Sequence, residues 1–272
     1  MNVDSPSLTF LETIKRLKTN SYQFIDFGST GTSSLRFCQE HFAVTPGFML
    51  DSRPDKFEII GSIPFDRASW NEFNGMKLPF KCVPFASMLY FLQQLPNLES
   101  ILVALEHAAW AAQDFIFIRH SSFEDVEYLA RLGLRLGWTA KPDQINPFRI
   151  EELQKIFKTM EFESYSVFAR NPVPGSRCIE VLPIDAPCND SEYDHSTHGE
   201  KVRLNFDRPV YREFDIFIKC NEQISEVNWQ KLCKRVVSSS DEAILVIDKR
   251  YSTLFDIFTT IPRSRLQSNP QG

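Results

Sequence analysis

The sequence predicts an α/β fold: a Rossmann-like doubly wound sheet, mostly parallel with an antiparallel final strand, plus a β-rich C-terminal extension. Three observations predict it. From residue 8 to about residue 160, short apolar strand-like runs alternate with helix-like stripes, the pattern of parallel strands covered by helices on both faces. The first strand-like run ends in a turn of small residues that leads into a helix. Beyond about residue 162 the pattern changes to mostly strands.

Each element has its own justification. Leu8, Leu11, Ile14 and Leu17 make a helical stripe over residues 8–18. The run 22–27 is aromatic and β-branched, and residues 34–38 read as a helix whose start Ser or Thr can cap. Residues 47–50 form a second strand ending at Asp51, 57–60 a third, and 83–89 a fourth, which carries Pro84. Residues 98–112, rich in Leu and Ala, form a helix. The run Phe115-Ile116-Phe117-Ile118 is short and continuously apolar, as a strand buried on both faces should be. Helices fit 123–132 and 150–160. Strands are then expected at 165–169, 178–182, 202–206, 211–218 and 243–247, with a helix at 227–237. These give a Rossmann-like domain over 1–184, a β-rich extension over 185–262 and a disordered tail over 263–272.

Composition narrows the chemistry. There are 10 glycines in 272 residues, about half the usual share of ~7%, so few places allow backbone to cradle a phosphate. The net charge of −5 comes without a dense basic block, which argues against nucleic acid as partner. Six scattered cysteines include no C-x-x-C pair and fit free thiols in a reducing cytoplasm. No apolar window reaches the length of a membrane span or a signal peptide, so no membrane partner is expected.

The turn after the first strand carries the chemistry. In a doubly wound sheet such a loop lies at the carboxyl ends of the strands, with its N–H groups and the next helix facing the ligand crevice. Asp51 ends the second strand beside it, placed to accept hydrogen bonds from ribose hydroxyls. Only Gly28 and Gly31 of a full G-x-G-x-x-G fingerprint are present. The stretch FIDFGSTGTSSL (24–35) resembles the first motif of the class I S-adenosylmethionine-dependent methyltransferases. KLPFKCVPFASMLYFLQQLPN (77–97) is similar to the region around their fourth strand, and 112–138 follows in the order of their fifth strand and next helix. The strands at 165–169 and 178–182 match their antiparallel finish. The resemblance covers about residues 20–185. It implies S-adenosylmethionine as cofactor, with Asp26, Gly28 and Gly31 around its methionine part and Asp51 on its ribose. Tyr90 and Phe91 end the fourth strand where that family's adenosine and acceptor pockets lie, which makes Tyr90 a candidate stacking residue.

Three departures from the family stand out. Thr30 and Thr32 replace two usual glycines, Gly61-Ser62 stand where an acid of the third strand often does (Asp66 follows late), and Gln93-Gln94 replace a Glu-His pair. His120, directly after the fifth strand, is the candidate catalytic base, with a structural hydrogen-bonding role as the plainer reading. Arg119 reads as a surface or carboxylate-pairing residue. The loop around His195 and His198 reads as solvated or acceptor-binding, and no metal site is expected. The function expected is methyl transfer from S-adenosylmethionine to a small-molecule or glycan-type acceptor. The alternative is a methyltransferase-fold protein that has lost catalysis and serves as a binding or scaffolding module.

Overall fold

A computed structural model of the chain describes residues 10–19, 21–28, 32–42, 46–51, 65–69, 77–142, 145–237 and 244–249. Its centre is an eight-stranded sheet. Five parallel strands form one half: β1 (Phe24–Phe27), β2 (Gly47–Asp51), β3 (Phe65–Ser69), β4 (Val83–Leu89) and β5 (Ala112–Ser121). They lie in the spatial order β3-β2-β1-β4-β5, so the winding direction reverses between β1 and β4. Beyond β5 come β9 (Tyr211–Lys219), antiparallel to it, then β7 (Tyr165–Pro172) and β10 (Ile244–Lys249), each antiparallel to its neighbour. The expected fold class holds: a mostly parallel doubly wound sheet with antiparallel strands at its end.

The helices are α1 (Phe10–Thr19), α2 (Thr32–Phe42), α3 (Leu98–Ala111), α4 (Val126–Arg131), α5 (Ile150–Thr159), α6 (His195–His198) and α7 (Glu226–Val237). Asn97 starts α3 by accepting the Ser100 N–H at 2.9 Å, a cap that satisfies one of the unpaired amides of a helix start. Leu17 of α1, Ile101, Ala104, Leu105 and Ala108 of α3, and Leu153, Ile156 and Phe157 of α5 cover one face of the sheet. The other face is covered by α2 through Phe37, Cys38 and Phe42, and by α7 through Trp229, Cys233 and Val236. No helix among the described residues is long and apolar enough to cross a membrane.

That second face gathers seven buried phenylalanines of the chain's 24. Successive residues of a strand point to opposite faces, so Phe24, Phe85 and Phe115, adjacent in register on β1, β4 and β5, share one. Their rings stack in a row, with centroids 5.4 Å and 4.8 Å apart. One step along the strands lie Phe117 of β5 and its register partner Phe217 of β9, 5.0 Å apart, with Phe37 of α2 stacked on Phe117 at 5.1 Å. Large rings here span the gap between sheet and helices that smaller side chains would leave empty.

Several expectations need correction. The third strand lies at Phe65–Ser69, while the stretch expected for it, 57–60, falls outside the described residues. Pro84 does not demote β4, which is central. The ladder with β5 shifts register between Val83 and Phe85, and pairing with β1 begins only at Phe85, so the N–H that proline lacks is not needed. The antiparallel strand beside β5 is β9, and of the two stretches expected as the antiparallel finish 165–169 joins the main sheet as part of β7 while 178–182 does not. That stretch yields only β8 (Val181–Pro183), paired with β6 (Leu134–Leu136) in a separate two-stranded sheet. Residues 202–206 form no strand and contribute a single bridge, Gly175 to Asn205. Residues 185–262 therefore supply two strands of the main sheet, β9 inside it and β10 at its edge. The tail 263–272 lies outside the described residues.

Phe117 touches three other rings of this layer and is fully buried, so Phe117→Ala should cost about 3–5 kcal/mol in urea unfolding. Phe80→Ala, at a residue 63% exposed, should stay within ~0.5 kcal/mol.

Candidate functional site

In an open α/β sheet, ligands bind at the carboxyl ends of the strands where the strand order reverses. Here that point lies between the ends of β1 and β4, with β2 beyond β1. It brings together Gly28, Asp51, Tyr90 and Phe91. A cavity of about 780 Å³, lined by Tyr22, Pro84, Trp110 and Gln113, is at the opposite edge, where the strands begin.

The β1 end is built in two layers. Asp26 is fully buried on the phenylalanine face, with Ser87 beside it in register on β4. Ser87 donates to the Asp26 carboxylate at 2.6 Å, and the Cys38 thiol of α2 donates to Ser87 at 3.4 Å. Burial, reinforced by the Asp26 charge, pushes the Cys38 thiol well up, so it stays protonated and can act as donor. Asp26 thus ties β1 to β4 and, through Ser87, to α2. Gly28 follows with φ +68°, a left-handed conformation, and its N–H donates to Leu50 of β2 at 2.6 Å. A Cβ on Gly28 would fall 1.7 Å from the ring of Phe91, so that ring lies directly against the glycine. Gly31 is outside the described residues. Asp51 is the last residue of β2, opposite Ser69 of β3.

The β4 end turns sharply. Tyr90 has φ +55° and its N–H donates to the Arg119 carbonyl at 2.8 Å, which holds the turn against β5. A short 3₁₀ helix, Leu92–Gln94, follows. Gln94 donates to the Tyr90 carbonyl at 2.9 Å, and Gln93 accepts the Ser121 N–H at 3.0 Å and donates to the Ser121 hydroxyl at 3.0 Å. The Gln93-Gln94 pair is therefore the bracket that joins this turn to the end of β5. The Tyr90 hydroxyl donates to Glu213 of β9, pointing away from β1 and β2. Burial, with Glu213, pushes the Tyr90 phenol well above its ordinary value.

Glu213 belongs to a buried ionic cluster that sequence reasoning missed. Asp215 of β9 is fully buried and faces Arg119 of β5 in register. Arg119 donates to both its oxygens, at 2.7 and 2.9 Å, and Arg170 of β7 donates to one of them at 2.9 Å. Asn171 donates to Glu213 at 2.8 Å. Burial pushes the Asp215 carboxyl up to about 7, against the pull of Arg119, while Asp215 and Glu213 hold the Arg119 guanidinium up against its burial. Arg119 also lies 4.5 Å over the Phe37 ring, so a guanidinium closes the aromatic layer at the sheet's edge. The signal in the sequence was a lone acid, Asp215, inside the apolar run Phe214-Asp215-Ile216-Phe217-Ile218. A charge there must find a counter-charge.

His120 occupies the opposite face of β5 and is 1% exposed, with Phe123 and Phe148 around its ring. Its Nδ1 lies 2.7 Å from the Ser121 carbonyl, which can only accept, so Nδ1 carries the proton and Nε2 is the bare acceptor. Nε2 is buried without a hydrogen-bond partner among the described residues. Burial drops the His120 imidazole to about 4, leaving it neutral near pH 7 but a weak base. The His195–His198 turn is fixed rather than loose: His198 Nε2 lies 2.7 Å from Asp190, and its Nδ1 accepts the Asp194 N–H at 2.9 Å.

Comparison with known proteins gives a fold-level likeness. No protein-family model and no curated protein matches the chain. Among solved structures, one similar chain is a SAM-dependent methyltransferase from Archaeoglobus fulgidus, at 14% identity and TM-score 0.48, covering 77% of this chain and 93% of that one. A putative methyltransferase from Bacillus halodurans aligns at 10% identity and TM-score 0.46, covering 77% and 99%. Magnesium protoporphyrin IX methyltransferase from Synechocystis PCC 6803, solved with bound SAH, aligns at 10% identity and TM-score 0.38, covering 78% and 89%. At these identities and scores, the roles of individual residues rest on the geometry described above.

Two outcomes are expected. Asp215→Asn leaves two buried guanidiniums without their shared carboxylate and should cost about 3–5 kcal/mol in urea unfolding. For His120, the folded protein binds fewer protons than the unfolded chain between about pH 4 and 6.5. Lowering the pH through that window should therefore remove up to ~3 kcal/mol of stability from the wild type relative to His120→Gln. Unfolding free energies measured for both proteins across the window check this.

Proposed function

We propose that the chain binds S-adenosylmethionine at the β1–β4 reversal and transfers its methyl group to a small-molecule or glycan-type acceptor. The observation that carries this reading is the left-handed glycine turn at Gly28, ending a strand that bears Asp26. It lies between a strand ending in Asp51 and a β4 turn that presents Tyr90 and Phe91.

The residues fit this cofactor better than a dinucleotide. A sulfonium nucleoside has no pyrophosphate, so it does not need the run of glycines this loop lacks. In this reading Asp51 accepts the ribose hydroxyls, and the backbone of Gly28 and Gly31 borders the methionine part. Asp26 holds β1, β4 and α2 in place beneath that turn. Phe91, packed on Gly28, forms an apolar floor and keeps side-chain bulk out of position 28. Tyr90 contributes only its ring, since its hydroxyl is held by Glu213. When bound, S-adenosylmethionine supplies an electrophilic methyl for in-line displacement. The protein's part is to align the acceptor and exclude water. His120 offers Nε2, which has no partner among the described residues, to an acceptor hydroxyl as a hydrogen-bond acceptor. The six cysteines are free thiols, which supports a cytoplasmic setting.

A second reading, binding without transfer, draws on the same His120: an enclosed imidazole at about 4 is a poor proton acceptor at neutral pH.

Calorimetric titration with S-adenosylmethionine and S-adenosylhomocysteine tests the proposal. Saturable binding is expected, weakened about 10- to 100-fold in Asp51→Ala by loss of charge-assisted hydrogen bonds to the ribose. No heat with either ligand would reject the cofactor, and unchanged affinity in Asp51→Ala would reject the ribose assignment.

A further inference from the structure

Away from the sheet's carboxyl edge, the segment 174–176 runs antiparallel to 204–206. Gly175 bridges Asn205, the Ser176 N–H donates to Leu204 at 3.0 Å, and the Leu204 N–H donates to the Ser176 hydroxyl at 2.9 Å. A Cβ at Gly175 would lie 2.4 Å from the Leu204 carbonyl, so glycine is what lets the two segments come this close. Arg177, in the turn closed by the Cys178 N–H on the Gly175 carbonyl, and Arg203 flank this paired stretch. Both guanidiniums line a cleft of about 220 Å³ together with Lys201, His195, Tyr193 and Glu200. Like charges gathered around one cleft repel one another. Yet among the described residues no carboxylate pairs with either arginine, in a chain that carries five more acids than bases.

The cleft has fixed walls. Lys201 donates to the Cys178 and Val181 carbonyls at 2.9 and 2.6 Å and lies 4.0 Å over the Tyr193 ring. The Tyr193 hydroxyl donates to the Gly199 carbonyl and its N–H to Ile179, and its ring stacks on His198. Beneath the loop, buried Arg135 donates to the carbonyls of Leu136, Gly137, Ala186, Pro187 and Asp190. The two arginines thus border one cleft on a loop braced from within by Lys201, Tyr193 and Arg135.

We propose that this cleft binds a phosphorylated small molecule by its phosphate. Arg177 and Arg203 grip the phosphate oxygens as planar forks, and Lys201 adds a third fixed positive charge against the single Glu200. The excess of two positive charges matches a phosphate dianion better than a carboxylate. The volume is smaller than that of a drug-sized pocket, so it takes the head of a ligand, with the Tyr193 ring flanking what is attached to it. This site stands independently of the cofactor assignment.

The test is calorimetric titration of the full chain with inorganic phosphate, and with acetate as a monovalent carboxylate, at fixed moderate salt. Phosphate should bind saturably and acetate should not. Arg177→Ala and Arg203→Ala should each weaken phosphate at least about tenfold. Glu200→Gln should tighten it, while Lys158→Ala, on the exposed side of α5, should leave it unchanged. Both arginines are exposed, so the variants should keep the parent's thermal midpoint. The proposal is overturned if phosphate shows no saturation up to ~10 mM, if acetate binds as well, or if the double variant lacking both arginines binds like the parent.

Discussion

One buried carboxylate decides how the two halves of the sheet meet. Asp215 accepts from Arg119 on one neighbouring strand and Arg170 on the other, so a single side chain laces β5, β9 and β7 together. Without counter-charges an acid at that depth would not be tolerated; with them, the antiparallel β9 has one register in which its charge is met. The effect spreads to the ligand-binding edge. Arg119 receives the Tyr90 N–H on its carbonyl, Tyr90 reaches back to Glu213, and the turn so fixed delivers Phe91 onto Gly28. The geometry of the glycine turn thus depends on a charge cluster two strands away.

The phenylalanine layer plays the complementary part. Ring rows on β1, β4, β5 and β9 fill the space under α2 and α7, interrupted by the polar chain Cys38–Ser87–Asp26. That chain continues the row of Phe217 and Phe117, with Ser87 beside Phe117 and Asp26 beside Ser87, where a wholly apolar packing would leave Asp26 unsolvated. Scarce glycine acquires a sharper meaning here. Gly28 is required by a left-handed backbone and by the ring against its Cα, before any ligand is considered.

Much of this was legible in the sequence because periodicity reports burial. The apolar run 115–118, the Ala/Leu helix at 98–112, and the strand and helix expected at 22–27 and 34–38 appear where the pattern put them. The third strand, Phe-Asp-Arg-Ala-Ser, carries almost no apolar signal and owes its state to pairing with β2. The antiparallel finish was expected from 165–169 and 178–182, and no local pattern marks which run pairs with β5. The actual partner, 211–219, arrives after an excursion that builds the β6–β8 pair. Long-range pairing leaves no local trace. For the same reason the partners of Tyr90, Gln93 and Arg119 were out of reach, although Arg119 does pair with a carboxylate as its residue type suggested.

The central claim is that the carboxyl edge at the β1–β4 reversal is the cofactor site, and amide chemical shifts during titration with S-adenosylhomocysteine test it residue by residue. The account predicts saturating shifts at Gly28, Asp51, Tyr90 and Phe91, with Trp110 and Gln113 at the opposite edge unmoved. Shifts confined to that opposite edge, or none at all at saturating ligand, would contradict it.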